Sequence, residues 1–263
     1  MKDGETLAYI NLYGILAALE DLCRLSPEAR ALAEDQALPG GKPLSLGFAI
    51  KNGPAVTLRF GGGACTALPG AGRWDIKLPV SSFEKFNAVI DGTATPIPSK
   101  GFTKIKFLTG NFTSLTKILE TYLRAAPEAL KDPAIFAAST EIMFFLIARA
   151  VAQIGNHDRI GRFTASNLAD GTAVLSIAGA GQGGGPLQAA ITIQNHTLSM
   201  SREIPAHPHA VMEFSSLALA RDLFDGRVSA LGCVGQGLVS MKGNLGMLDN
   251  INRILDRVAV YLA

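Results

Sequence analysis

The strongest constraint in the sequence is an internal repeat. Ser81-Ser82 followed by Asp91-Gly92 returns as Ser215-Ser216 followed by Asp225-Gly226, each member displaced by 134 positions with the internal spacing kept. Beyond these pairs a displacement of 136 matches Gly101 with Gly237, Lys106 with Lys242, Gly110 with Gly246, and Ile118-Leu119 with Ile254-Leu255. A period close to half of the 263 residues is far longer than the ~20 to 50 residues of a solenoid unit. It predicts two tandem domains, 1–125 and 126–263, meeting in the polar, proline-containing stretch from Ala125 to Pro133.

The periodicities run in the same order in both halves. In the first, Leu7, Ile10, Leu16 and Leu19 recur at helical spacing, and the helix is expected to stop by Pro39-Gly40-Gly41. Alternation through Phe48 and Ile50, then Val56, Leu58 and Phe60, then Ile76, Leu78 and Val80 predicts three strands, with a turn at Asn52-Gly53. Ser81 or Ser82 caps a short helix carrying Phe83, Phe86, Val89 and Ile90, which Gly92 ends. Ile105 and Phe107 predict a further strand, and Phe112, Leu115, Ile118, Leu119 and Tyr122 a terminal amphipathic helix. The second half repeats the plan: a helix over Ala134 to Ile154, strands around Ala173 to Ile177, Ala189 to Ile193 and Val211 to Phe214, and a terminal helix bearing Leu248, Ile251, Leu255 and Val258. The expected class is α+β, each half an antiparallel-rich sheet covered by helices.

Composition narrows the function. Only 17% of residues are charged against 48% hydrophobic, mean hydropathy is +0.26 and the net charge is +2. Disorder and electrostatic nucleic-acid binding are disfavoured, and the apolar excess must enter a core, an interface or a cavity. Cys23, Cys65 and Cys233 show no CxxC spacing and suit a reducing compartment, so a cytoplasmic location is expected, with no signal peptide. The apolar segment 134–152 carries Glu141 and Arg149, and its longest uninterrupted run, Ile142 to Ala148, is too short to span a bilayer; it is expected to be a helix buried between a sheet and the neighbouring domain.

From Gly237 through Ser240-Met241-Lys242-Gly243-Asn244 to Met247, Ile251, Ile254 and Leu255, with Asp225-Gly226 upstream, the sequence resembles the sterol carrier protein 2 family of lipid-binding domains. The resemblance is clearest over Ser215 to Leu262. It is weaker over Asp75 to Leu123, where Phe107-Leu108 stands in place of the Gly-Asn pair. It implies the fold and an apolar tunnel, and transfers no catalytic residue. In the second copy the expected ligand-binding residues are Met212, Phe214, Phe224, Met241, Met247, Ile251 and Leu255; in the first they are Phe83, Phe86, Phe107, Phe112 and Leu115. Methionine adapts to varied shapes and so suits a site for several acyl chains, although it also fills gaps in ordinary cores.

Other motifs carry less. Gly179-Ala180-Gly181-Gln182-Gly183-Gly184 satisfies GxGxxG but is followed by Pro186 and strand-like alternation, so it reads as a hairpin loop. His207-Pro208-His209 lacks further ligands at metal spacing, and neither His157 nor His196 has a nucleophile partner in a GxSxG motif. No cofactor or metal is expected. Lys100, Lys104 and Lys106, read on a strand, give Lys104 and Lys106 one face that either is simply solvated or meets anionic headgroups. The leading function is an intracellular lipid-binding or lipid-transfer protein, non-enzymatic, with an apolar small molecule or lipid as partner. Transient membrane-surface contact and a homodimer complete the partner expectations. The alternatives are a structural or dimerisation module without ligand, and an uncharacterised hydrolase.

Overall fold

A computed structural model describes residues 2–34 and 41–262, so the helix stop expected at Pro39-Gly40 lies outside the described residues. The chain divides into two compact units, the first covering Asp3–Ile142 and the second running on from Met143.

The first unit opens with α1 (Gly4–Ile10), a π-helical turn (Asn11–Ile15), α2 (Ala18–Leu25) and α3 (Pro27–Glu34). Asp3 starts α1 by accepting from the Thr6 N–H. The strands are β1 (Leu44–Ile50), β2 (Ala55–Gly61), β3 (Ala64–Pro69) and β4 (Ile76–Val80), in the spatial order β3-β2-β1-β4. Phe48, Ile50, Val56, Leu58, Phe60, Ile76, Leu78 and Val80 are the alternate residues the sequence marks as apolar, and all are buried in one core with Leu12, Leu19 and Leu22 of the N-terminal helical segment.

The sheet is mixed where consecutive antiparallel strands were expected. β4 runs parallel to β1, with Phe48 opposite Leu78, because residues 70–75 carry the chain from the β3 edge to the free edge of β1. Trp74, in that crossing, lies so close over β1 that a Cβ on Gly47 would come within 2.2 Å of its ring, and its indole N–H donates to Thr57 Oγ1 at 2.7 Å.

A second correction concerns Ile105 and Phe107. No strand forms there. Lys100 makes a single antiparallel bridge with Lys77, Gly101 turns at φ +91°, and the chain becomes helical through a 3₁₀ turn at Phe102–Lys104, α5 (Ile105–Phe107), a π turn at Leu108–Phe112 and α6 (Thr113–Leu123). Two alternating residues fit either period. The helical one prevails because it stacks Phe107 on Phe60 (ring centroids 5.3 Å apart) and on Phe112 (6.2 Å). Lys104 and Lys106 therefore share no strand face, and Lys104 instead pairs with Asp75 at 3.3 Å.

After α7 (Pro133–His157), within which the division between units falls, the second unit contains α8 (Arg159–Ala165), β5 (Gly171–Ile177), β6 (Leu187–Gln194), β7 (Thr197–Ser201), β8 (Ala210–Phe214), α9 (Leu217–Phe224), α10 (Ala230–Gly235), β9 (Val239–Gly243) and α11 (Leu245–Leu262). Its sheet order is β7-β6-β5-β8-β9, with β8 parallel to β5 and every other pairing antiparallel. Over four strands this is the order and sense of the first sheet. The stretches 4–25 and 133–157 are long and apolar enough to cross a membrane, yet most of the first and over half of the second is buried in the folded chain, as core helices are.

The repeated Ser-Ser and Asp-Gly pairs turn out to be the two ends of one helix. Between β4 and residue 92 lies α4 (Phe83–Ile90), the counterpart of α9. Ser82 Oγ accepts from the Lys85 N–H and Ser216 Oγ from the Leu219 N–H. At the other end Gly92 and Gly226 adopt φ +71° and +68°, and Thr93 and Arg227 donate to the carbonyls of Ala88 and Asp222, the same helix-ending bond in both units.

Candidate functional site

In each unit the candidate site lies between the apolar face of a sheet and a C-terminal helical segment, and the two units fill that space differently. In the first, five phenylalanines close it. Phe48 meets Phe86 and Phe112 at centroid distances of 6.1 and 5.9 Å, and Phe60 meets Phe107 and Phe112 at 5.3 and 6.3 Å. Leu115 is fully buried in the same core. Phe83 is half-buried like Phe112, packs against the same core and stacks on Tyr9 of α1 at 6.2 Å. The five residues expected to line a ligand site here, Phe83, Phe86, Phe107, Phe112 and Leu115, thus all belong to or pack against one core, in which Phe107 meets Phe112 directly and Phe86 meets them through Phe48.

In the second unit the sheet face presents Leu175, Met212 and Met241 as neighbours across β5, β8 and β9, with Phe214 opposite Val239 one step along. Met212 and Phe214 are buried and Met241 is half-buried. Phe224 of α9 meets Phe214 edge to face at 6.4 Å. α11 packs on β8 and β9, and Met247, Leu248, Ile251, Ile254, Val258 and Tyr261 form its buried stripe. Leu255 is half-buried on the flank, and Ile254, three residues after Ile251, takes the inward position. The buried side chains of these strands and of α11 include Met212, Met247 and several branched aliphatics, with the Phe214–Phe224 pair beside them.

A polar hub, absent from the sequence reading, anchors α11. Asp158 ends α7 and begins α8, its Oδ1 accepting from the Ile160 and Gly161 N–H groups at 2.9 Å each. Its Oδ2 accepts from Arg257 Nη2 at 2.8 Å and from the Tyr261 hydroxyl at 2.6 Å. Burial pushes this carboxyl's pKa up, but the hydrogen bonds from Arg257, Tyr261 and Gly161 outweigh burial and hold it below the usual carboxylate range. The partners lie 99 and 103 residues away in sequence, at positions whose spacing signals nothing by itself.

The remaining reactive groups are quiet. Cys23, Cys65 and Cys233 are free and buried; burial raises the Cys23 thiol to about 11 and pushes Cys65 well above its ordinary value, so neither supplies a thiolate near neutral pH. The imidazole Nδ1 of His209 accepts from the Thr172 N–H at 3.1 Å. The GxGxxG stretch closes the β5–β6 hairpin, with Gly181 donating to the Gly185 carbonyl, and leads into a strand instead of a helix.

The fold defines an α+β protein of two units, each a mixed sheet covered by helices. No protein-family profile matches the chain, and no curated protein matches it. Among solved structures it is similar to the sterol carrier protein domain 2 of Helicoverpa armigera, at 15% identity over 44% of this chain and 87% of that one, with a TM-score of 0.36. Sterol carrier protein 2 of Yarrowia lipolytica is similar at 14% identity over 40% and 91% of the two chains, TM-score 0.31. The stereoselective inverting sec-alkylsulfatase of Pseudomonas sp. is similar at 12% identity over 63% of this chain and 29% of that one, TM-score 0.24.

Proposed function

We propose that this protein is a non-enzymatic carrier of an apolar ligand, a fatty acyl, sterol-like or other lipid, made of two diverged copies of a sterol carrier protein 2 type domain and working in a reducing compartment such as the cytoplasm. The ligand enters the second unit between the β5-β8-β9 face and α11. The observation that supports this reading is that Met212 and Met241 are cross-strand neighbours on β8 and β9, the two strands on which α11 packs, and that Met247 and Ile251 lie in the buried stripe of α11. Such side chains repack around an inserted chain with little strain. Each methylene moved from water into that layer contributes about 0.8 kcal/mol. The motif that resembles the family, from Gly237 to Leu255, falls on β9 and α11, which form two sides of this layer.

The first unit is assigned a structural role, supported by the five-ring cluster that occupies the equivalent space. The experiment is extraction of the native protein into organic solvent and mass spectrometry of what it carries. A lipid recovered in fixed proportion to protein is the result this reading predicts. A protein that carries none and takes none up from a fatty-acid mixture contradicts it.

A further inference from the structure

The four edges of the two sheets are not treated alike. At an edge every second residue turns its N–H and C=O away from the sheet, open to another chain. On β4 the outward residues are Lys77 and Pro79: Lys77 donates to the Lys100 carbonyl and accepts from the Ser99 N–H, and Pro79 has no N–H. On β3 the Glu20 carboxylate accepts from the Ala67 N–H at 2.6 Å, and Pro69 is the next outward residue. On β7 the Asn156 side chain donates to the Leu198 carbonyl and accepts from the Leu198 N–H, both at 2.8 Å.

β9 carries no such device. Ser215 donates to the Leu238 carbonyl and Met212 stands opposite Met241, which sets the ladder so that Ser240 and Lys242 bond toward β8 while Val239 and Met241 turn their backbone groups outward. Among the described residues those outward groups have no hydrogen-bond partner, and Val239–Gly243 contains no proline. Ser240 Oγ is buried and likewise without a partner among the described residues. Lys242, two places along on the same face, is exposed and makes no ion pair there. At the two ends of the strand Leu238 and Leu245 are 38% and 61% exposed.

We propose that β9 pairs antiparallel with β9 of a second copy of this chain, about a two-fold axis at Met241, joining the two β7-β6-β5-β8-β9 sheets edge to edge. In that register Met241 exchanges both backbone bonds with Met241 of the second copy, and Val239 stands opposite Gly243. Ser240 then lies directly opposite Lys242 of the second copy, whose ammonium can donate to the hydroxyl that has no partner within one chain, and no two like charges are opposed. The exposed Leu238 at one end is brought toward the exposed Leu245 of the second copy. The edge is thus complementary to itself, as a two-fold contact requires, and this selects a second copy over an unrelated strand. The pairing is independent of any cargo.

The test is light scattering of the full chain over a range of concentrations, with amide hydrogen exchange followed at the same concentrations. The mass should rise from that of one chain to twice that value, and the Met241 N–H should exchange at least about tenfold more slowly in the dimer. Met241→Pro removes an N–H that bonds nothing within the chain, so it should keep the circular dichroism of the parent and stay single at every concentration. Ser240→Lys opposes two lysines at each end of the pair and should weaken association about tenfold or more; adding Lys242→Glu sets Lys opposite Glu and should restore it, which a merely misfolded variant would not show. A single-chain mass throughout, a dimer that survives Met241→Pro, unchanged Met241 exchange on dimerisation, or no rescue by Lys242→Glu would each overturn the proposal. A protected Met241 amide in a single chain carrying a foreign peptide would give the edge to another occupant and overturn it as well. Because the readouts are mass and exchange, none of these outcomes bears on the carrier function.

Discussion

At the scale of single residues, Asp158 shows how much one carboxylate can organise. It caps α8, accepts from a guanidinium and a phenol of α11, and is almost fully buried. Its folded pKa lies below its unfolded value, so its stabilisation is fully present above about pH 4 and is lost as the pH falls through the lower, folded value. Tyr261→Phe removes one hydrogen bond to a charged acceptor. It should cost about 1.5–3 kcal/mol in urea unfolding at neutral pH, with the gap to the parent protein closing in acid as Asp158 protonates. An equal gap at both pH values would mean that Tyr261 acts through packing alone. Nothing in the sequence announces this hub, because its three members are ordinary residues brought together across most of the second unit.

At the scale of elements, the repeat was legible where it rests on local chemistry and misleading where it does not. Ser82 with Gly92 and Ser216 with Gly226 are read correctly at a displacement of 134, since a cap at each end of an eight-residue helix leaves its mark in adjacent residues. Past that helix the displacement of 136 fails at Gly101 and Lys106. The glycine equivalent to Gly101 is Gly243, not Gly237: both follow a lysine, both turn with positive φ, and both leave no room for a Cβ. At Gly101 that atom would lie 2.6 Å from the Asp75 carbonyl oxygen; at Gly243 it would lie 2.3 Å from that of His209. The second unit spends the intervening residues on α10 and most of β9, whereas the first goes straight from one bridge into a helical turn. That tertiary difference overrode the alternation of Ile105 and Phe107. The geometry ranks the glycines. Gly226→Ala, with open space around it, should cost about 1 kcal/mol for the left-handed backbone alone. Gly243→Ala adds a backbone collision and should cost at least about 2–3 kcal/mol. Comparing the two by urea unfolding checks the assignment, and equal costs would refute the close approach.

At the scale of the whole molecule, two units whose sheets share the order and sense of four strands bury different side chains against them. Rigid rings, once packed edge to face, resist insertion, whereas methionine and branched aliphatics tolerate it. Periodicity could mark Met212, Phe214, Met247 and Ile251 as inward-facing, yet it could not say whether what they face is filled, because a core wall and a cavity wall alternate identically. Opposite responses to the same enlargement are therefore expected in the two units. Ile251 and Leu115 are both fully buried on C-terminal helices. The decisive measurement is fluorescent fatty-acid uptake beside thermal unfolding for Ile251→Trp and Leu115→Trp. Ile251→Trp should abolish uptake at little cost in stability, while Leu115→Trp should leave uptake intact and destabilise by about 1–3 kcal/mol through overpacking. Unchanged uptake in Ile251→Trp together with a stability loss of that size would contradict this expectation, because the layer beneath α11 would then be solid core.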